Sequence, residues 1–474
     1  MDEQCDIRGN HSLPRKFLAM PIYVNRVLNL KKIQVIGFDM DHTLVRYRTR
    51  EFETLAHAQA ARILVEDRGY PAELKNLEFD YQRSIVGLVI DTRNGNLLQL
   101  SRFGKVKSAY HGLKEIHYRK VKDLYANVAV DLDGRLFIPL DTNFAKSFGV
   151  LYSQLVELKN EMPDLPDFAT IARDVGKAID LAHRDGSIKD VVRNNLEHYI
   201  IDDPEIALML ERYVDYGKKL MIITNSDYSY TREILDYAIT PHLRKHGSWR
   251  DVFDIVITLA DKPRFFQDSH RFLRVDPDSG AMHNHEGSVA HGVFQGGGFR
   301  KLQDDLGLRG NEILYLGDHI YGDVVAIKKL CDWRTGLVLA DLEEEIRGIE
   351  AGRPIQNEID ALSQEKSRLE QEINTLDIAR YEGRDTDEAH LNSLYEQIEK
   401  INNRISELLG EYRGLFNPYW GEVLRAGMEE SRYADQLVRY ACVYMTKISD
   451  LWDYSPKTYF RPMRRSLPHE LQAE

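Results

Sequence analysis

The sequence predicts an α/β protein with a parallel-sheet core, an inserted α+β domain and a C-terminal helical hairpin. Three observations lead there. Short, nearly continuous apolar runs at 33–38, 220–223 and 313–316 each end in a polar cluster, as strands do when helices cover both faces of a parallel sheet. The first two runs lie much farther apart than one crossover requires. Between 391 and 408, apolar residues recur at alternating spacings of three and four, the seam of a packed helix.

The first run ends at Asp39. After it come alternating or apolar stretches at 84–90, 126–130 and 136–140, then helical patterns at 152–158 and 169–183. Most of this interval reads as a domain inserted over the strand ends. The second run ends at Thr224-Asn225-Ser226 and leads into a helical pattern from Tyr230 through Ile234 and Leu235 to Ala238. The third ends at Gly317-Asp318. Farther on, Ile359, Leu362, Leu369, Ile373 and Leu376 form one apolar series, and Leu391, Leu394, Ile398, Ile401, Ile405 and Leu408 form another. The break at 383–387 predicts two antiparallel helices, packed on the body or against another subunit. The expected division is core 1–80, insertion 81–202, core 203–345, hairpin 346–415 and a C-terminal helical segment 416–474.

The chain has 474 residues, and its 75 acidic against 63 basic residues give a net charge of -12. That balance argues against a nucleic-acid polymer as partner while allowing a local basic pocket. Cys5, Cys331 and Cys442 fit neither a disulfide framework nor a zinc motif. The stretch 1–6 is acidic and unlike a targeting signal. No apolar stretch approaches the roughly 20 residues a bilayer needs. A cytoplasmic protein with no membrane partner is expected.

Open α/β sheets carry their chemistry outside the carboxyl ends of the strands. Asp39 and Asp41, at i and i+2, leave a strand end on the same side, so one can attack an electrophile while the other handles a proton. Thr224-Asn225-Ser226 offers donors suited to phosphate at a strand-to-helix turn, and Lys262 adds a cation. Residues 317–323, Gly-Asp-His-Ile-Tyr-Gly-Asp, place Asp318 and Asp323 behind the third strand. Hard oxygen ligands of this kind suit Mg2+.

Taken in order, these clusters resemble the haloacid-dehalogenase (HAD) superfamily, which implies a HAD-like Rossmannoid core under a cap. By that resemblance Asp39 is the nucleophile that takes the phosphoryl group, and Asp41 protonates the leaving oxygen and then activates water. Thr224 and Lys262 hold the phosphoryl group. Magnesium would be bound by Asp39, the carbonyl of Asp41 and Asp318, with Asp323 in support. Residues 37–44, 224–228, 262–266, 317–323, 433–440 and 467–470 are similar to motifs of the cytosolic purine 5′-nucleotidases, which act on IMP and GMP. The same likeness makes Thr43, Asn225 and Ser226 substrate-binding. It also makes Asp180, His183 and Lys189 base-recognition residues and Phe144 a stacking aromatic.

The sequence departs from that pattern at Gly176, where an arginine is expected, at Ala145, where an asparagine is expected, and at His42, which replaces a tyrosine. Lys329, Gln436, Arg439 and Tyr440 match an effector site for nucleotides, with Asp141 in place of an asparagine. The resemblance further implies a homo-oligomer, dimer or tetramer, and phosphotransfer to nucleosides. The alternatives are a phosphatase for another small phosphate ester and a non-catalytic scaffold that uses the hairpin. Residues 283–286 read as a polar turn, and Gly296–Gly298 as a flexible loop leading into a helix.

Overall fold

Val35, Ile36 and Phe38 are each at most 1% exposed, so this strand has protein on both faces. Alternation sends Ile36 and Phe38 into one apolar cluster and Val35 into another. The computed structural model describes residues 22–132, 136–267, 270–464, 466–467 and 470. Cys5, the acidic stretch 1–6, and Pro468 and His469 of the tail motif lie outside the described residues.

The strand sits inside a ten-stranded sheet. From edge to edge the order is Ile22–Val24, Val443–Met445, Arg334–Val338, Ile313–Gly317, Val35–Phe38, Lys219–Ile223, Ile255–Thr258, Gly292–Gly296, Phe272–Val275 and Met282–Asn284. From Val443–Met445 across to Gly292–Gly296 each neighbouring pair is parallel, and antiparallel pairs finish both edges. Ile36 pairs with Leu220 on one side and Leu314 on the other; Phe38 pairs with Ile222 and Leu316. The chain therefore continues to opposite sides of Val35–Phe38. That is a topological switch point, where a crevice opens beyond the carboxyl ends of the strands. Gly37 lets the strands close up there: a Cβ on it would meet Met221 Cε at 2.6 Å and Tyr315 Cδ2 at 2.8 Å.

A short antiparallel stalk, Arg46–Tyr47 with Ile200–Ile201, marks where the chain leaves and rejoins the core. Beyond it, helices Thr49–Arg68, Lys146–Glu161 and Phe168–Arg184 pack on one another. Thr49–Arg68 falls within the expected first core segment, yet it packs with the helices of the insertion. A five-stranded antiparallel sheet completes the cap, in the order Lys114–Glu115, Val106–His111, Asn96–Leu100, Leu88–Asp91 and Phe137–Leu140. The stretch 126–130 is not a strand. Val128 and Val130 pack against the cap sheet from a loop after helix Tyr118–Tyr125, so the alternation reflects burial without pairing. Asn96–Leu100 and Val106–His111 escaped the sequence reading because polar residues interrupt them: Asn96 is buried by donating to Tyr125 Oη at 2.8 Å.

Helices Leu342–Tyr381 and Glu388–Arg413 form the hairpin. Pairs Glu358–Arg404, Glu372–His390 and Arg380–Glu388 establish their antiparallel direction. Leu369, Ile373, Leu376, Leu391, Leu394 and Ile398 make the seam within this one chain. The first helix starts earlier than the apolar spacing suggests, because buried Glu345 accepts from the backbone N–H groups of Val423 and Leu424. Residues 283–286 are not simply a turn, since Met282–Asn284 is the edge strand of the large sheet. Gly298 is the N-cap of helix Phe299–Leu306, so the glycines do lead into a helix. Among the described residues no helix is long and apolar enough to cross a membrane.

The seam predicts that Leu394→Ala, at a side chain only 2% exposed, costs about 2–3 kcal/mol locally. Hydrogen exchange should show lost amide protection across the hairpin while protection of the ten-stranded sheet is retained.

Candidate active site

The backbone N–H of Asp39 donates to Leu316 O of the neighbouring strand at 2.8 Å, pinning the nucleophile candidate at the switch point. Its Oδ1 accepts from Met40 N at 2.7 Å. Its Oδ2 lies 2.8 Å from Lys262 Nζ, which reaches Asp323 Oδ1 at the same distance. Lys262 Nζ also donates to Tyr315 Oη at 3.0 Å. The tyrosine can accept because its own proton goes to Ile223 O at 2.7 Å. The loop bearing Lys262 is held by Asn225: Lys262 N donates to its Oδ1 at 2.7 Å, and its Nδ2 donates to Lys262 O at 3.1 Å. Asn225, expected on substrate, spends its amide on positioning the lysine.

Asp39, Asp318 and Asp323 are all buried and bring one carboxylate oxygen each within 4.8 Å of one another. Burial pushes Asp39 up to about 7, with Lys262 pulling it back and Asp323 and Asp41 adding to the rise. Burial, then Asp39 and Asp323, holds Asp318 well above the usual carboxylate range. Burial opposes the charge on Lys262, yet Asp323 and Asp39 together keep it firmly protonated. One ammonium cannot neutralise this acidic set, and Asp318 Oδ2 is buried without a partner among the described residues. An unpaired buried carboxylate is costly. All-oxygen, anionic donors around an orphaned oxygen are what Mg2+ requires, so the residues fit that ion. Gly317 makes the approach possible, because a Cβ there would sit 2.3 Å from Asp323 Oδ2.

Asp41 faces the other side of the crevice. Its Oδ1 accepts from Tyr47 Oη at 2.7 Å and its Oδ2 from Ser226 Oγ at 2.8 Å. Burial raises its pKa, and those two hydrogen bonds oppose the rise. Thr224 Oγ1 accepts from Ser226 N at 3.1 Å, shaping the turn. Thr43 Oγ1 is buried without a partner among the described residues.

Over this floor the cap brings aromatic rings. His42, with φ of 54°, packs 4.6 Å from Phe144, and Phe144 lies 5.3 Å from His183. Phe52 touches both Phe144 and His183, at 5.4 Å and 5.9 Å. His42 Nε2 and His183 Nε2 are buried without partners among the described residues. Lys189 reaches down from the cap to Asp227 Oδ2 at 2.7 Å. Asp227 is the N-cap of helix Tyr228–Ala238. Asp180 is not brought to this group. Its side chain is 73% exposed and pairs with Arg184 on the outer face.

Of the expected effector residues, Gln436, Arg439 and Tyr440 lie on helix Arg432–Tyr440, and Lys329 is brought to Tyr440. Lys329 Nζ lies 5.4 Å from the Tyr440 ring centroid, and Arg439 pairs with Asp435 at 2.9 Å. Gln436 accepts from Arg432 Nη1 at 3.0 Å, and Arg432 Nη2 pairs with buried Asp141. Helix Arg432–Tyr440 packs on Ile320–Val325, the segment that carries Asp323. Tyr47, Tyr230, Tyr315 and Phe52 were missed on sequence. Tyr47 carried the only readable signal, as an aromatic two residues before helix Thr49–Arg68 and six after Asp41.

Fold and site together define a phosphoric monoester hydrolase with a HAD-like core. The chain belongs to the 5′-nucleotidase family, whose model matches residues 22–472. It is 28% identical over 488 residues to 5′-nucleotidase domain-containing protein 2 of Rattus norvegicus, covering 95% of this chain and 80% of that protein. It is 27% identical over 463 residues to a 5′-nucleotidase domain-containing protein of Dictyostelium discoideum, covering 95% and 75%. Among solved structures, a putative haloacid dehalogenase-like hydrolase from Bacteroides fragilis is 14% identical, covers 65% of this chain and 87% of its own, and gives a TM-score of 0.25. At that score the likeness adds nothing to what the strand order shows.

Burial, then Lys189, holds His183 down at about 4 against 6.5 for a free imidazole. The unfolded chain therefore binds more protons than the native one between those values, and stability falls as pH drops through that window. Thermal melts from pH 7.5 to 4.5 should show a shallower loss for His183→Gln than for the wild type.

Proposed function

We propose that the protein hydrolyses purine nucleoside 5′-monophosphates, IMP and GMP first, by a Mg2+-dependent route through a phosphoryl group carried on Asp39. The observation that carries this reading is Lys262 poised between Asp39 and Asp323, with Asp41 opposite and fully hydrogen-bonded. Mg2+, held by Asp39, Asp318 and the Asp41 carbonyl with Asp323 beside them, would offset the repulsion between a carboxylate and a phosphate dianion.

A carboxylate oxygen of Asp39 attacks phosphorus as the bond to the 5′-oxygen breaks, and Asp41 gives that oxygen its proton. Thr224, Ser226 and Lys262 hold the phosphoryl oxygens and neutralise charge as it develops. Asp41, now a carboxylate, takes a proton from water. The water oxygen bonds to phosphorus, the Asp39–phosphorus bond breaks, and phosphate leaves. A nucleoside hydroxyl in place of water gives phosphotransfer.

Phe144 and His183 offer rings to a purine, and Lys189 a donor to its 6-oxo group. A second reading, another small phosphate ester, is favoured by the outward position of Asp180, which leaves the purine edge without that carboxylate. Phosphate release should be assayed across nucleoside monophosphates and sugar phosphates, with Mg2+ and with EDTA. IMP and GMP should be cleaved best, EDTA should stop the reaction, and Asp39→Asn should slow it by at least ~10³-fold. Activity on sugar phosphates alone would overturn the purine assignment.

The reading extends to a cytoplasmic homo-oligomer, with which two buried free thiols, Cys331 and Cys442, agree. It also extends to a nucleotide effector at Lys329, Gln436, Arg439 and Tyr440. Saturating ATP should raise IMP hydrolysis in the wild type and not in Lys329→Ala. A wild-type curve unchanged by ATP would remove the effector.

A further inference from the structure

We propose that Tyr47 is a positioning residue for the proton-transfer step, aiming the Asp41 carboxyl group from the stalk of the cap; this rests on the reading of Asp41 as the acid. The chain of contacts is short. Tyr47 Oη has one hydrogen, and it goes to Asp41 Oδ1 at 2.7 Å. Tyr230 Oη, 3.1 Å from Tyr47 Oη, must then be the donor in that pair. A polarised chain, Tyr230 to Tyr47 to Asp41, results. With Oδ1 taken by the Tyr47 hydrogen, an acidic proton on Asp41 resides on Oδ2, where the Ser226 hydroxyl, which donates to that oxygen of the carboxylate at 2.8 Å, turns to accept instead.

The side chain has little freedom to do otherwise. Tyr47 is 4% exposed, and its ring packs on His42 and Phe52 with centroids at 5.1 Å and 5.0 Å. Its backbone is the stalk strand itself, paired with Ile200. The neighbouring Arg46 ties that strand to the core through Asp203 Oδ2 at 2.8 Å, and Ser449 Oγ donates to the same oxygen at 2.7 Å. The hydroxyl that orients Asp41 therefore moves with the segment on which the cap is mounted. A displaced stalk withdraws the donor and leaves Asp41 free to turn from the leaving oxygen.

Leaving-group chemistry separates positioning from general support. An alkyl phosphate, such as a nucleoside monophosphate, loses an alkoxide that must be protonated. p-Nitrophenyl phosphate loses a phenolate that needs no proton. The ratio kcat/KM reports the steps up to departure of that group. In the full-length Mg2+-loaded protein, Tyr47→Phe should lower kcat/KM for an alkyl phosphate active in the substrate panel by about tenfold or more, and leave that for p-nitrophenyl phosphate within about twofold. Tyr230→Phe, which touches Asp41 only through Tyr47, should lower the same ratio by less. Equal losses on both substrates, no loss on either, or a larger effect from Tyr230→Phe would overturn the proposal. Asp41→Asn serves as the reference: if it spares the alkyl phosphate, the role of Asp41 fails first. If it abolishes that activity while Tyr47→Phe does not lower it, only the inference about Tyr47 fails.

Discussion

The site depends on one buried ammonium group. Lys262 stands 2.8 Å from both Asp39 and Asp323, and its removal would leave buried like charges facing one another. Breaking a buried pair from one side costs on the order of 3–5 kcal/mol, against about 0–1 kcal/mol for a single exposed ion pair. Much of the surrounding architecture serves to bring that cation to the switch point. Asn225 grips its backbone from both sides, and Tyr315 turns a lone pair toward it while its proton is tied to strand Lys219–Ile223. The glycine at 317 lets Asp323 come close. The lysine, the phosphate-end turn and the acidic cluster consequently behave as one unit, even though they arise from distant parts of the sequence.

The cap meets this unit at two chemically different places. Rings of Phe52, Phe144 and His183 from the cap pack on one another and over His42 of the core. An ion pair, Lys189 with Asp227, crosses from cap to core beside the turn that would receive phosphate. The Lys189 ammonium has three donors, so it can hold Asp227 and still offer a hydrogen bond into the crevice. The stalk adds a third connection through Tyr47, which joins the seat of the cap to Asp41.

The strand–polar-cluster pattern was legible because buried parallel strands need long apolar runs and because catalytic residues gather at their ends. Asp39, Asp41, Thr224, Lys262, Asp318 and Asp323 were therefore visible before any coordinates, and the structure brings them to one crevice. Residues that act through others were not. Tyr47 and Tyr315 are ordinary core aromatics by spacing, and only the direction of their hydroxyl groups distinguishes them. Asn225 looked like a phosphate ligand because its type fits, whereas its amide is used by the Lys262 backbone. Asp180 failed even though a spacing of three from His183 puts the two on neighbouring helix positions: its side chain is 73% exposed and pairs with Arg184. The cap strands were hard to read because buried polar side chains such as Asn96 interrupt their alternation.

The central claim is that phosphorus is passed to a carboxylate of the protein before it reaches water. It is tested most directly by acid-quenching the enzyme during turnover with Mg2+ and mapping the modified peptide by mass spectrometry. The account requires a hydroxylamine-sensitive phosphoryl group on Asp39, formed from substrate and absent in Asp39→Asn. A phosphoryl group on another residue, or single-turnover phosphate release with no protein-bound phosphorus at any time point, would contradict it.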